Sequence, residues 1–235
     1  MTLSQDLLIA EELMLLLLAD DGRSISAAGT LHYPLGGALL VELALIGRVE
    51  LDETSGGFVS GPIVRPLGNG PLGDPLLQSA YDTVVERPRR VQTLLALLGA
   101  DLWSVLLERL EQRGVIRREK AKFLGIVPTT RYPADDGRPE TALRNRILDV
   151  LVHEHDPDAR TAAVIGLVYA SGAMPALRPP LPWNSTTVQR AQQLRDGDWG
   201  AAAVGKAVER TALAVATGTA TAVAVAVSAG SSGSS

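Results

Sequence analysis

The sequence predicts a mainly α-helical protein: a single globular domain with a helical-bundle core and short β-hairpins. Of its 235 residues, 46% are hydrophobic, which is enough to bury a continuous core. Leucine, alanine and valine supply this content, whereas aromatic residues make up only 4%. That balance favours helices, because small and unbranched side chains lose little freedom in them. No internal repeat or clear linker divides the chain, so one domain is expected.

The first helix is predicted from about Ser4 to Ala19, and the second from Pro34 to near Gly47. Six consecutive large apolar residues, Leu13 to Leu18, indicate that the first helix is buried on most sides. Its apolar stretch is too short to span a bilayer of about 30 Å. We therefore expect a core helix.

Three glutamates lie within these apolar stretches: Glu11, Glu12 and Glu42. Paired carboxylates can serve as acid and base in catalysis, but that requires a second group and a cleft that the sequence does not show. The favoured interpretation is ion pairing at the edge of the core. For Glu42 the partner is expected to be Arg48 or another cation there.

Two short strands are predicted at Arg48 to Asp52 and at Phe58 to Val64, on either side of a loop rich in glycine and serine. The next helix is marked by Asp74 and Pro75, because an aspartate cap followed by proline is typical of a helix start. It is expected to end before Pro88.

Two more helices are predicted between Val91 and Arg113, with a hinge near Gly99. Gly114 is expected to close the second of them in a left-handed conformation. A β-hairpin with strands Val115 to Arg118 and Phe123 to Val127 is predicted to follow.

The remaining helices are predicted at Pro139 to Val152, Asp156 to Ser171 and Asn184 to Arg195. The second is expected to open at Asp156-Pro157. From Ala201 to Ala229 the sequence consists mainly of Ala, Val, Thr and Gly.

The predicted domain covers residues 1–210, the Ala/Val-rich helix at 211–229 is expected to belong to it, and 230–235 form a flexible Ser/Gly tail. Residues 212–229 are also long enough for a marginal membrane anchor, with Lys206 and Arg210 on the cytoplasmic side. Alanine, threonine and glycine are weakly hydrophobic, so a buried helix is the favoured interpretation.

Charge and cysteine content restrict the function further. The net charge is −4, but nine basic and four acidic residues lie between Arg87 and Lys122. No cysteine is present, which excludes disulfides and thiolate chemistry. The N-terminal stretch lacks the charge pattern of a secretory signal, so a cytoplasmic protein is expected. Nineteen arginines against three lysines suggest the coding bias of a GC-rich bacterium.

No sequence motif predicts an enzyme, a cofactor or a metal. The phosphate-binding glycine loop, the G-x-S-x-G elbow and H-E-x-x-H are all missing from the sequence. The densest polar cluster is His153, Glu154, His155, Asp156 and Asp158. Its two histidines are two positions apart, so they lack the i, i+4 spacing of a zinc-binding helix.

Several blocks of the sequence resemble the Golgi phosphoprotein 3 family, and together they cover roughly residues 2–210. They are TLSQDLLIAEELMLLLLADDGR, LGGALLVELALIGRVELDE, VQTLLALLGA, LERLEQRGVIRREKAKFLGIVPTTRYP and DPDARTAAVIGLVYASG. Eukaryotic members bind phosphatidylinositol 4-phosphate on the cytosolic Golgi face and act as adaptors for glycosyltransferases. The resemblance implies a non-enzymatic peripheral membrane protein with an anionic lipid, a membrane-protein client and other copies of itself as partners.

The lipid pocket of these relatives is formed by a tryptophan and an arginine before the ELAL helix and two arginines before the RGV turn. Ala27 and Gly36 stand at the first two positions, and the other two arginines have no counterpart. The resemblance therefore implies the fold without the specific phosphate pocket. Arg23, His32 and Tyr33 flank this region, where they are equally well explained as ordinary loop residues.

The hairpin carries the residues that we predict to bind lipid instead: Arg117, Arg118, Lys120, Lys122, Phe123 and Leu124. Cations beside apolar side chains suit an anionic membrane surface. In relatives, a hydrophobic loop here is tied to membrane insertion and oligomer contacts. The alternative is a solvated hairpin whose apolar face packs into the core.

A helix followed by RGVIRREK and a hairpin also imitates a winged-helix module that reads DNA. The preceding helix, however, mixes Glu108 and Glu111 with Arg109 and Arg113, so its surface is not uniformly positive. Nucleic-acid binding, or binding of a soluble partner, is kept as the alternative function.

Overall fold

The computed structural model describes residues 7–18, 30–52, 62–123, 127–177, 180–197 and 206–231. In these ranges the protein is mainly α-helical with small antiparallel sheets, which confirms the predicted class. The helices are α1 (Ile9–Leu17), α2 (His32–Leu45), α3 (Pro75–Glu86), α4 (Val91–Gly99), α5 (Leu102–Gln112), α6 (Arg138–Leu151), α7 (Ala159–Ala170), α8 (Ser185–Arg195) and α9 (Lys206–Ser231). The strands are β1 (Val49–Asp52), β2 (Ile63–Pro66), β3 (Arg89–Arg90), β4 (Glu119–Phe123) and β5 (Val127–Arg131).

Helix α2 lies at the centre of the fold. Every residue from Pro34 to Ala44 is buried, and the helix packs against α1, α3, α4, α5, α7 and α9. This follows from its sequence, which is apolar on all sides rather than along one stripe. Helix α1 is buried along its whole length, as its leucine run predicts.

Two glycines allow α2 and α4 to approach until their backbones touch. A Cβ atom added at Gly36 would lie 2.4 Å from the carbonyl oxygen of Leu95, and one added at Gly99 would lie 1.9 Å from that of His32. Both distances are far below any van der Waals contact, so no larger residue fits there unless the helices separate. A Cβ at Gly37 would likewise collide with Val215 of α9, 2.5 Å away.

Strands β1, β2 and β3 form an antiparallel sheet in that order. Val49 pairs with Pro66, and Ile63 pairs with Arg90. The predicted first strand is therefore correct, but the second runs from Ile63 to Pro66 rather than from Phe58 to Val64, and Phe58 lies outside the described residues. The sequence did not predict β3, because two residues are too few for a periodic signal.

Helix starts were predicted correctly where a cap residue is unambiguous. The Asp74 carboxylate accepts hydrogen bonds from the backbone N–H groups of Leu76 and Leu77, and Asn184 caps α8 through Thr187. For α7 the prediction was wrong by two residues, because Asp158 is the cap and accepts from the Thr161 N–H at 2.7 Å. Similarly, α2 begins at His32 rather than at Pro34.

The second hairpin exists, but both of its strands begin four residues later than predicted, at Glu119 and Val127. Strand β4 pairs with β5 so that Glu119 faces Arg131 and Phe123 faces Val127. Val115 is buried and belongs to the end of α5, where its N–H donates to the Leu110 carbonyl at 3.0 Å. Gly114 has a φ of 68°, as expected for a left-handed cap.

Helix α9 runs without a break across residue 210, where the sequence placed the end of the main domain. It packs against α2, α4, α7, α8 and β1. Its last described residues, Gly230 and Ser231, are still helical, and residues 232–235 of the predicted tail lie outside the described part of the chain.

Candidate functional site

The β4–β5 hairpin stands apart from the helices. The two strands pack mainly on each other and make no extensive contact with any other described element. Backbone hydrogen bonds hold the base of the hairpin. The N–H of Arg117 donates to the carbonyl of Pro133 at 3.0 Å, and the N–H of Asp135 donates to the carbonyl of Val115 at 2.9 Å. A β-bridge joins Ile116 to Ala134. We call residues 117–131 the basic arm, because they include five basic residues and one acidic residue.

Three predicted lipid-binding cations of the basic arm are solvent-exposed. The Arg117 guanidinium pairs with Glu119 at 2.8 Å and lies 3.6 Å from Asp135. Arg118 pairs with Glu111 at 3.0 Å and lies over the ring of Tyr132. The side chain of each arginine is about half exposed, and Lys120 is also exposed. Ion pairs this exposed contribute only about 0–1 kcal/mol, so their arginines can be transferred to another anion at little cost.

The other predicted residues of the arm are only partly within the structure. Lys122 and Phe123 lie in β4, but their side chains are outside the described part, and Leu124 is outside it entirely. Arg131 on β5, opposite Glu119, is a fifth cation that the site prediction missed. The signal that could have identified Arg131 was its position in the second strand, but that strand was predicted to end at Val127.

Of the positions that the resemblance predicts for the family's lipid pocket, Gly36 lies within the described residues. Gly36 is enclosed by α4, so no side chain can project from it. His32 and Tyr33 at the start of α2 stack on each other, with ring centroids 3.9 Å apart. Ala27 and Arg23 lie outside the described residues.

The basic cluster seen in the sequence does not form one surface. Arg109 of α5 and Arg113 directly after it both contact the buried Glu11 carboxylate, Arg109 as a half-buried residue and Arg113 as an exposed one. Glu108 is exposed and Glu111 is half-buried on the same helix. The solvent-facing side of α5 therefore carries mixed charge, with Glu108 and Arg113 both exposed.

A balanced set of charges surrounds the buried glutamates Glu11, Glu12 and Glu42, and we call it the buried ion network. It consists of four carboxylates and four guanidinium groups: Glu11, Glu12, Glu42, Asp74, Arg109, Arg113, Arg146 and Arg160.

One half of the network surrounds Glu11, whose side chain is fully buried. Its carboxylate accepts from Arg109 Nε at 3.0 Å and from the Leu8 N–H at 2.8 Å. Arg109 also donates to Asp74 at 2.6 Å. Burial alone would raise the pKa of Asp74, but Arg109 and the N–H groups of Leu77 and Leu76 together hold this pKa below its usual value. Asp74 therefore stays ionised at neutral pH.

Arg160 of α7 joins the other half of the network. It donates to Glu12 at 3.1 Å, to Glu42 at 2.8 Å and to the carbonyl oxygen of Leu7. Glu42 also accepts from the Ile9 N–H at 2.6 Å, and Glu12 accepts from Arg146 at 2.6 Å. The network thus satisfies the first N–H groups of α1 with carboxylates and ties α1 to α2, α6 and α7.

This arrangement confirms the prediction that the three glutamates form ion pairs. The partner of Glu42 is Arg160, and not Arg48, which donates instead to the Gly70 carbonyl at 2.7 Å and stacks on Tyr81. The sequence did not identify Arg160, although an arginine inside an apolar helix is a signal of buried pairing.

The cluster around His153 does not form a metal site in the described residues. No group of three or more His, Cys, Asp or Glu side chains is placed there or elsewhere in them to hold an ion. The rings of His153 and His155 are 6.3 Å apart, and Asp156 lies 4.0 Å from Arg190.

Comparison with known proteins gives a clear family match. The model of the family described as Golgi phosphoprotein 3 (GPP34) matches residues 9–211. The chain is also 28% identical over 165 residues to vacuolar protein sorting-associated protein 74 of Eremothecium gossypii. This alignment covers 62% of the chain and 49% of the relative, so the chain spans about half the length of that protein.

Proposed function

Because this chain belongs to the Golgi phosphoprotein 3 family, we propose that it is a peripheral membrane adaptor without catalytic activity. In this proposal the basic arm binds the anionic surface of a membrane from the cytoplasmic side. A membrane-protein client is the second partner, and the name of the fungal relative, a protein-sorting factor, supports that part.

The observation that carries the proposal is the combination of charge and isolation in the basic arm. Lys120, Lys122 and Arg131 lie on a two-stranded ribbon that is free of extensive contact with the described helices, and Arg117 and Arg118 lie at its base. A projecting ribbon of this kind reaches a flat surface without interference from the rest of the protein. Each cation near an anionic lipid surface contributes about 1 kcal/mol, which exceeds the value of an exposed ion pair.

We further propose that binding depends on surface charge rather than on one head group. A specific phosphate site needs several convergent cations or backbone donors. Gly36 cannot supply one, because its α-carbon faces the backbone of α4. The cations of the buried ion network are already paired with carboxylates inside the protein.

The mixed charge on the outer side of α5 argues against the alternative of a winged-helix DNA reader. In such a module the helix before the wing enters the major groove. Here that helix presents the exposed carboxylate of Glu108 to solvent, which would repel the phosphate backbone, and Glu111 already pairs with Arg118 of the basic arm.

Reversal of charge on the basic arm tests the proposal. The triple variant Arg117→Glu, Arg118→Glu, Lys120→Glu is expected to bind vesicles containing phosphatidylglycerol at least about 100-fold more weakly, since three contributions of about 1 kcal/mol are lost. Vesicle flotation at low salt measures this change.

A matched control is available on other surfaces. Arg87, Arg90 and Arg210 are also exposed, and changing all three to glutamate alters the net charge by the same amount. This control is expected to retain most of the binding. Equal loss in both variants would show that total charge, and not the basic arm, controls binding, and unchanged flotation of the arm variant would refute the proposed site.

A further inference from the structure

Helix α9 consists of two halves in different environments. In the first half, Thr211, Ala212, Val215, Ala216 and Thr219 are buried. There Gly218 allows contact with Leu95 of α4, to which an added Cβ would lie 3.1 Å away. Among residues 220–229, by contrast, every side chain is exposed or half-buried. We call residues 220–231 the α9 tip.

The α9 tip is apolar and uncharged. From Thr211 to Ser231 the helix has no Asp, Glu, Lys or Arg side chain. The stretch Val208–Ala229 has a mean hydropathy of 1.8, yet only 28% of this stretch is buried in the protein. An apolar helix end that is left uncovered needs an apolar environment.

The exposed valines show which kind of environment fits. Val225 is 62% exposed and Val227 is 63% exposed. Two positions along an α-helix are separated by about 200°, so these side chains lie on nearly opposite faces. A protein groove or a second copy of the chain covers one face of a helix. A lipid environment covers both.

Two of the three hydroxyl side chains of the α9 tip also suit lipid. Thr221 donates its hydroxyl to the Thr217 carbonyl at 2.9 Å, and Ser228 donates to the Val225 carbonyl at 2.8 Å. These bonds satisfy both hydroxyl protons within the helix. Neither residue therefore depends on water as a hydrogen-bond acceptor.

We propose that the α9 tip inserts into the lipid layer on which the protein docks, as a second membrane contact beside the basic arm. This inference rests on the proposed membrane association. Twelve helical residues extend about 18 Å, which is enough for one leaflet but not for a hydrocarbon core of about 30 Å. A complete span would need the first half of α9 as well, and Val215 and its buried neighbours would have to leave the core.

The absence of cysteine from the sequence makes a labelling test straightforward. Val225→Cys and Val227→Cys, each prepared in the full chain and labelled with a polarity-sensitive fluorophore, report the surroundings of the two faces. Val85→Cys on α3 and Leu97→Cys on α4 are controls, because both residues are apolar and 49% exposed. An N-terminal hexahistidine tag and nickel-chelating lipid hold every variant on the vesicles whether or not the basic arm binds.

On addition of vesicles, the fluorophore emission is expected to shift to the blue at both Val225 and Val227. Lipids with shallow nitroxide groups should quench the fluorescence at these two positions. No change is expected at Val85 and Leu97. Several results would overturn the inference. They are no shift at either valine, a shift at one valine only, and a shift without vesicles that grows with protein concentration, which would indicate a second copy as the occupant. If the untagged protein does not bind vesicles but the tagged protein still gives both blue shifts, the result counts against the basic arm and not against the α9 tip.

Discussion

Replacing Arg160 with alanine is expected to lower the free energy of unfolding by about 3–5 kcal/mol, because the change leaves the buried carboxylate of Glu42 without its cation. Glu12 and Glu42 would each lose a hydrogen-bonded partner, as would the carbonyl of Leu7. In a domain of this size the melting temperature should fall by on the order of 10 °C. Urea unfolding followed by circular dichroism measures the effect.

Arg138→Ala is the matched control for this prediction. Its side chain is 83% exposed and pairs only with Asp136 in an exposed ion pair. Its removal should change the stability by less than about 1 kcal/mol. A small effect for Arg160→Ala, comparable to that of the control, would mean that the buried ion network does not hold α1 in place.

The second large effect is expected at the crossing of α2 and α4. Gly99→Ala places a methyl group 1.9 Å from the His32 carbonyl oxygen, and only a shift of the two helices relieves this clash. We expect a loss of stability of about 3 kcal/mol or more, at the upper end of the range for overpacked cores. Thermal unfolding compared with Gly137→Ala measures it, because nothing lies within 4 Å of a Cβ at Gly137.

The same crossing makes a prediction about the lipid pocket. Gly36→Arg supplies the arginine that the resemblance predicts for the family's lipid pocket, but its Cβ would lie 2.4 Å from the Leu95 carbonyl oxygen. The variant is expected to be destabilised and to gain no preference for phosphatidylinositol 4-phosphate. A stable Gly36→Arg protein with new selectivity for that lipid would show that the pocket is missing only one side chain.

Much of the helical architecture was predictable from local signals. Asp74 with Pro75, and Asn184 before α8, mark helix starts through a cap that acts within one turn of the chain. The run from Leu13 to Leu18 indicated a buried helix because it is apolar on every side of the helix. Such signals depend on neighbouring residues alone and do not require knowledge of the fold.

The site was less predictable, because it depends on tertiary contacts. The sequence counts Arg109 and Arg113 within one basic cluster, whereas the fold turns both towards Glu11. The pairing of Arg160 with Glu42 joins residues 118 positions apart. The start of the hairpin was predicted too early because Val115 and Ile116 are β-branched, which is typical of strands, although in the fold they are buried next to the end of α5.

The central claim is that exposed charge on the basic arm, and not a head-group pocket, brings the protein to membranes. Vesicle partitioning tests it most directly, with phosphatidylglycerol and phosphatidylinositol 4-phosphate compared at equal surface charge. Salt is raised from about 0.1 M to 1 M, which shortens the Debye length from about 10 Å to 3 Å. The predicted result is that the bound fraction of protein is the same for the two lipids at every salt concentration and falls steeply as salt is raised. A marked preference for phosphatidylinositol 4-phosphate that survives high salt would contradict the claim.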